Sequence, residues 1–129
     1  GIYNSIGIKP GTGDVCVAYQ DQSTTDLMYA CNLTGGCGGW SSTTVATGNI
    51  GYDNSLTFNA ADEPYVAFYP ADTADLEVAH NDGSGWAVLS VDSYGQVGQF
   101  LESAMDSTGM LHLLYYDATN GALKYARGQ

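Results

Sequence analysis

Three stretches of the chain repeat one arrangement of apolar and polar positions. Residues 15–30 run Val-Cys-Val-Ala-Tyr-Gln-Asp-Gln-Ser-Thr-Thr-Asp-Leu-Met-Tyr-Ala. Residues 64–79 run Pro-Tyr-Val-Ala-Phe-Tyr-Pro-Ala-Asp-Thr-Ala-Asp-Leu-Glu-Val-Ala, and residues 111–126 run Leu-His-Leu-Leu-Tyr-Tyr-Asp-Ala-Thr-Asn-Gly-Ala-Leu-Lys-Tyr-Ala. Each predicts two short strands around a tight turn. β-Branched and aromatic residues flank a cluster of Asp, Thr, Asn, Pro or Gly that suits the turn. Antiparallel pairing about the first turn places Cys16 opposite Cys31. The same construction pairs Tyr65 with His80 and His112 with Arg127.

Each hairpin is preceded by a Gly (Gly1, Gly51, Gly98) and a short alternating segment at 5–8, 55–58 or 102–105. After the first two hairpins comes a Gly-rich link and a Trp-led strand, at 40–45 and 86–92. The chain therefore divides into repeats 1–50, 51–97 and 98–129. Four short strands per ~40–50 residues is the signature of a β-propeller blade. The second strand of each repeat is apolar at nearly every position, so both its faces need cover, as between neighbouring blades. A β-sandwich is the alternative, since it also uses short strands and frequent turns. The third repeat stops where its fourth strand should begin. The expected fold is all-β, with two complete four-stranded antiparallel blades and a third lacking its last strand. Rings usually have four to eight blades, so the expectation is completion by other chains: further copies, or the remaining blades of a longer parent.

The runs Ser-Leu-Thr-Phe…Pro-Tyr-Val-Ala-Phe-Tyr (55–69), Tyr-Tyr-Asp-Ala-Thr-Asn-Gly-Ala-Leu-Lys-Tyr-Ala (115–126) and Val-Asp-Ser…Val-Gly-Gln (91–99) carry a resemblance. They resemble a bacterial family of tandem propeller repeats in large secreted or surface proteins. The similarity spans nearly the whole chain, and its motifs are structural ones. That family commonly has His before the second-strand core. His112 keeps it, whereas Tyr65 and Cys16 replace it. Some of its repeats also carry a Cys pair around the link to the fourth strand, which Cys31 and Cys37 resemble.

Charge narrows the partners. The net charge is −11, with Lys9, Lys124 and Arg127 the only cations in 129 residues. Nucleic acid requires a basic surface to displace counterions, and an anionic membrane requires the same. Neither is an expected partner. Charged residues make up 13% and there are 17 Gly, a mix suited to a turn-rich β protein. No apolar run is long enough to span a membrane as a helix. The start, Gly1-Ile2-Tyr3-Asn4, has no charged leader, so a secreted protein would already have lost its signal.

Three cysteines among many Thr, Ser, Asn and Gly point to an oxidising compartment. Cys31–Cys37 is the expected disulfide, because it staples a link longer than its counterpart in the second repeat. Cys16–Cys31, facing each other across a hairpin, and no bond at all are the alternatives. Cys-x5-Cys with no neighbouring His does not make a zinc site. Asp72 and Asp75 share a loop, but no calcium-loop pattern is present. No metal or cofactor is expected. Asn32-Leu33-Thr34 is a formal glycosylation sequon at Asn32.

Nothing assembles a catalytic set. His80 and His112 occupy different blade positions, with no nucleophile and orienting acid in pattern. Asp82-Gly83-Ser84-Gly85-Trp86 resembles the Asp-box turn of sialidase propellers, but Arg127 is the only Arg, and that chemistry needs several. Asp53, Asp62 and Glu63 lie in turns that favour such residues for local bonding. The expected function is a non-catalytic extracellular module acting in self-assembly, as a filament or ring, or in protein contacts. The alternative is a lectin-like carbohydrate binder using Trp40 and Trp86 as stacking platforms, with Asp82 accepting hydroxyl hydrogen bonds.

Overall fold

The computed structural model describes residues 1–33 and 38–128. Eleven strands lie among them, in three antiparallel sheets. Sheet A holds β1 (Ile2–Ile8), β2 (Val15–Gln20), β3 (Leu27–Asn32) and β4 (Trp40–Ala46) in sequential order. Sheet B repeats this with β5 (Tyr52–Phe58), β6 (Pro64–Tyr69), β7 (Leu76–Asn81) and β8 (Trp86–Asp92). Sheet C has three strands: β9 (Val97–Met105), β10 (Leu111–Asp117) and β11 (Ala122–Gly128). The hairpin registers expected from sequence hold, with Cys16 opposite Cys31, Tyr65 opposite His80 and His112 opposite Arg127.

The sheets stack like blades. β1 lies against β5 and β5 against β9, so the first strand of each sheet is the innermost. Between A and B, Ala18, Leu27 and Cys31 meet Leu56, Phe58, Val66 and Phe68. Between B and C, Ala67, Leu76 and Val78 meet Leu101, Leu111, Leu113 and Tyr115. Sheet B is thus covered on both faces, as its run of apolar residues demands. Full burial of each such side chain contributes about 1.5–3 kcal/mol, so these two layers dominate the stability.

The inner strands begin earlier than the alternation suggests, at Ile2, Tyr52 and Val97. Tyr3, Asp53 and Phe100 occupy equivalent positions there, and all three have positive φ (49°, 41°, 49°). The register slips at the same point in β1 and β5. A non-Gly residue in this region costs roughly 1–2 kcal/mol, and bonding across the junction offsets it. Asn54 donates to the carbonyls of Tyr3 and Gly51, and Ser5 Oγ donates to Asn54 Oδ1 at 2.7 Å.

Crossovers repeat as closely as strands do. The N–H of Ile50 donates to Thr25 O (3.1 Å), and the N–H of Val97 donates to Ala74 O (2.9 Å). Gly98 follows with φ 100°, and a Cβ there would sit 3.0 Å from the Asp75 carbonyl and Leu76 Cα. Only Gly lets the incoming strand pass this close to the preceding sheet.

The disulfide corrects the expected pairing. Cys16 is bonded to Cys31, not Cys31 to Cys37. Their Cα atoms are 4.1 Å apart, the close spacing of an antiparallel pair without mutual backbone bonds. Register therefore decides the partner, and link length does not. Cys37 lies outside the described residues.

Candidate functional site

A concavity lies between sheets B and C. It is a groove of about 740 Å³. Its walls are apolar: Val78 and Leu89 on sheet B face Leu111, Leu113 and Ala126 on sheet C. Its origin is topological. At the A–B junction the indole of Trp86 rests edge-on against Tyr29, with ring centroids 5.3 Å apart. Sheet C has no fourth strand among the described residues, so no corresponding indole enters the B–C junction.

One end of the groove is polar. Tyr65 and His80 are cross-strand partners in β6 and β7, and their rings stack 4.0 Å apart. His80 Nε2 lies 3.2 Å from Glu63 Oε2, and Asn59 Nδ2 donates to the same oxygen at 2.7 Å. Asn59 Oδ1 in turn accepts the N–H groups of Ala61 and Glu63. The turn therefore fixes Asn59, Asn59 fixes Glu63, and Glu63 orients the imidazole. Burial, with the nearby Glu63 charge, raises the Tyr65 phenol above its ordinary pKa. It stays protonated at neutral pH as both donor and acceptor. An aromatic pair with its hydroxyl and imidazole, beside an apolar wall, suits a neutral polyol with one apolar face.

A second polar cluster ties the sheets together elsewhere. Tyr115 donates to Asp92 Oδ2 at 2.8 Å, and Lys124 also binds that oxygen. Burial pushes the Asp92 carboxyl up, but the Lys124, Tyr94 and Tyr115 hydrogen bonds outweigh it and hold the pKa below the usual carboxylate value. These groups satisfy one another, so their role is cohesion of β8 with β10 and β11.

The residues singled out from sequence are dispersed. Trp86 is a packing anchor on Tyr29. Trp40, its counterpart in sheet A, is exposed on that sheet's free face. Asp82 Oδ1 accepts the N–H and hydroxyl of Ser84 within its own turn. Asn32 is buried at the end of β3, and Thr34 of its sequon lies outside the described residues. His112 bridges Tyr125 (2.7 Å) and Asp106 (3.0 Å) on the surface of sheet C. Hydrogen bonds from His112 and Thr108 hold the Asp106 carboxyl well below the ordinary range. Among the described residues, no group of three or more His, Cys, Asp or Glu is placed to hold a metal ion.

No protein-family profile and no curated protein matches the chain. Among solved structures, it is similar to a fucose lectin from Kordia zhangzhouensis in complex with methyl-fucoside. The TM-score is 0.56 at 15% identity, over 97% of this chain and 91% of that chain. The two share a fold along almost their whole lengths. The hairpin register brings Tyr65 and His80 together, but nothing in the sequence groups Leu89 with them, since the groove forms only when sheets B and C meet.

Proposed function

We propose that this chain is a carbohydrate-binding, lectin-like propeller module of the extracellular space, without catalytic activity. The observation that carries the reading is the fold shared end to end with a fucose lectin. The same comparison favours sugar binding over a filament-forming structural role. The Cys16–Cys31 disulfide supports an oxidising, extracellular setting.

On this reading the sugar contacts move from Trp40, Trp86 and Asp82 to the B–C groove. The Tyr65–His80 pair, with His80 oriented by Glu63 behind it, serves the hydroxyls, and the Leu89–Leu113 walls take the apolar face. A fucoside suits such a site, because its C6 methyl group is apolar while its ring hydroxyls are not.

The test is a glycan array with the wild-type protein, followed by titration of methyl-fucoside. Binding by wild type is expected, and Leu89→Trp should abolish it. Leu89 is exposed on the groove wall, so the larger ring fills the groove without disturbing the core. His80→Ala should weaken binding by about tenfold, since a lost hydrogen bond costs roughly 1–1.5 kcal/mol, and Glu63→Gln should weaken it less, because Glu63 acts by orienting His80. Absence of any bound glycan would overturn the function. Unchanged affinity in Leu89→Trp would overturn the site.

A further inference from the structure

The two end sheets leave apolar faces uncovered, and internal repetition identifies what covers them. Each sheet has one face that docks forward onto the next sheet and one that docks backward onto the previous one. The forward face of A carries Ala18, Leu27 and Tyr29, and that of B carries Ala67, Leu76 and Val78. By register the same positions in C are Leu114, Leu123 and Tyr125. The backward face of B carries Leu56, Phe58, Val66 and Phe68. The same positions in A are Ile6, Ile8, Val17 and Tyr19.

Exposure separates these sets sharply. Leu76 and Val78 are 0% and 7% exposed, whereas Leu123 and Tyr125 are 71% and 56% exposed. Leu56 and Phe58 are 6% and 7% exposed, whereas Ile6 and Ile8 are 68% and 63% exposed. The end faces thus retain the chemistry of buried ones. Singly exposed apolar residues are ordinary, but contiguous patches mark interaction surfaces.

We propose that a second copy of the chain docks the backward face of its sheet A onto the forward face of sheet C, with the reciprocal contact closing a six-bladed ring. The occupant follows from two constraints. The forward face of C needs a backward face, and the one left free among the described residues is that of A. Rings run from four to eight blades, and six is the one multiple of three in that range. Two copies related by a two-fold axis make the same heterologous contact twice, and the ring closes.

The proposal predicts a specific contact. Trp86 of β8 packs on Tyr29 across the A–B junction. The positions equivalent to Trp86 and Tyr29 are Trp40 on sheet A and Tyr125 on sheet C, both exposed. In the ring, Trp40 of one protomer seats on the partner's Tyr125. The exposed indole, read from sequence as a stacking platform for sugar, becomes a subunit contact. This inference does not rest on the sugar-binding reading.

Solution mass tests it, by sedimentation or light scattering on the wild-type chain across concentrations. The expected species is twice 13.6 kDa. A persistent monomer, or open-ended larger assemblies, would overturn the proposal. Two variants then locate the faces: Ile6→Arg on A and Leu123→Arg on C. Both positions are exposed within the chain, so charge there leaves its core intact. Each variant alone should be monomeric. An equimolar mixture should recover a dimer weaker than wild type, because the intact C of one meets the intact A of the other while the second contact carries both arginines. A dimer by either variant alone would show a like-on-like contact and refute the arrangement. A mixture that stays monomeric while wild type dimerises would also refute it.

Discussion

Removing the disulfide gives the sharpest test of how sheet A is held. Cys16 and Cys31 are 15 residues apart in sequence and both are buried. In the chain-entropy picture, a cross-link closing a loop of this size destabilises the unfolded ensemble by about 3 kcal/mol. That is a large share of the roughly 5–15 kcal/mol that separates folded from unfolded domains. The perturbation is the double variant Cys16→Ala/Cys31→Ala, with Cys37→Ala as the control. For a urea m-value of about 2 kcal/mol/M, the double variant should unfold roughly 1.5 M earlier. The control should unfold with wild type. Equilibrium urea denaturation followed by Trp fluorescence reads this directly, because Trp86 packs on Tyr29 two residues from Cys31. Peptide mapping without reduction should recover residues 16 and 31 in one linked fragment. A fragment linking Cys31 to Cys37, or a larger loss in the control than in the double variant, would refute the register argument.

Two further outcomes follow from the repeat and from burial. Ala74 has φ 60° at a turn position where sheet C carries Gly121 with φ 62°, so Ala74→Gly should relieve strain. The expected stabilisation is about 1 kcal/mol, read as a rise in the thermal midpoint of roughly 3–5 °C; a fall would show that chain entropy outweighs strain there. Burial pushes the Tyr29 phenol up to about 12, with help from the Asp14 and Asp62 charges. The folded state therefore holds this proton more tightly than the unfolded state. Its contribution is complete below pH ~10, the ordinary Tyr value, and is lost as pH rises toward 12. A phenolate appearing near pH 10 in a near-ultraviolet titration of the folded protein, assigned by Tyr29→Phe, would contradict this.

Strand pairing was legible because it is local. Turn residues at 21–26 fix the register of β2 and β3, and the same logic placed Tyr65 against His80. The same register also decides the disulfide, against the length of the following link. The bulges at Tyr3, Asp53 and Phe100 left no trace, because none is Gly. Asn54, a partner from the next sheet, supports the first of them. Trp86 was visible as a strand start, but its neighbour Tyr29 lies 57 residues earlier in the chain, and only blade stacking joins them. The groove shares that origin. Its residues come from β6, β7, β8, β10 and β11, and no spacing rule links those strands.

The unfilled junction and the free faces are distinct consequences of the same incomplete repeat. The groove lies wholly between sheets B and C of one chain, and neither Ile6 nor Leu123 lines it. If the groove binds sugar as proposed, affinity for a soluble monovalent sugar would be a property of the single chain. Retention on a glycan-dense surface would be a property of the proposed ring, because two copies present two grooves. Linked sites can raise overall avidity by about 10²–10⁴ when both engage together. Propeller repetition then has a use beyond packing. The six junctions of the proposed ring would not all be alike: four, at A–B and at the contact between copies, are sealed by an indole, and the two B–C junctions stay open. A fourth strand added to sheet C would bring its own side chains to the B–C junction and close the opening, exchanging a binding groove for a sealed one. A strand in that space and a sugar in the groove would exclude each other on the proposed reading, which is why the groove-filling Leu89→Trp variant discriminates binding there from binding at any face the ring itself creates.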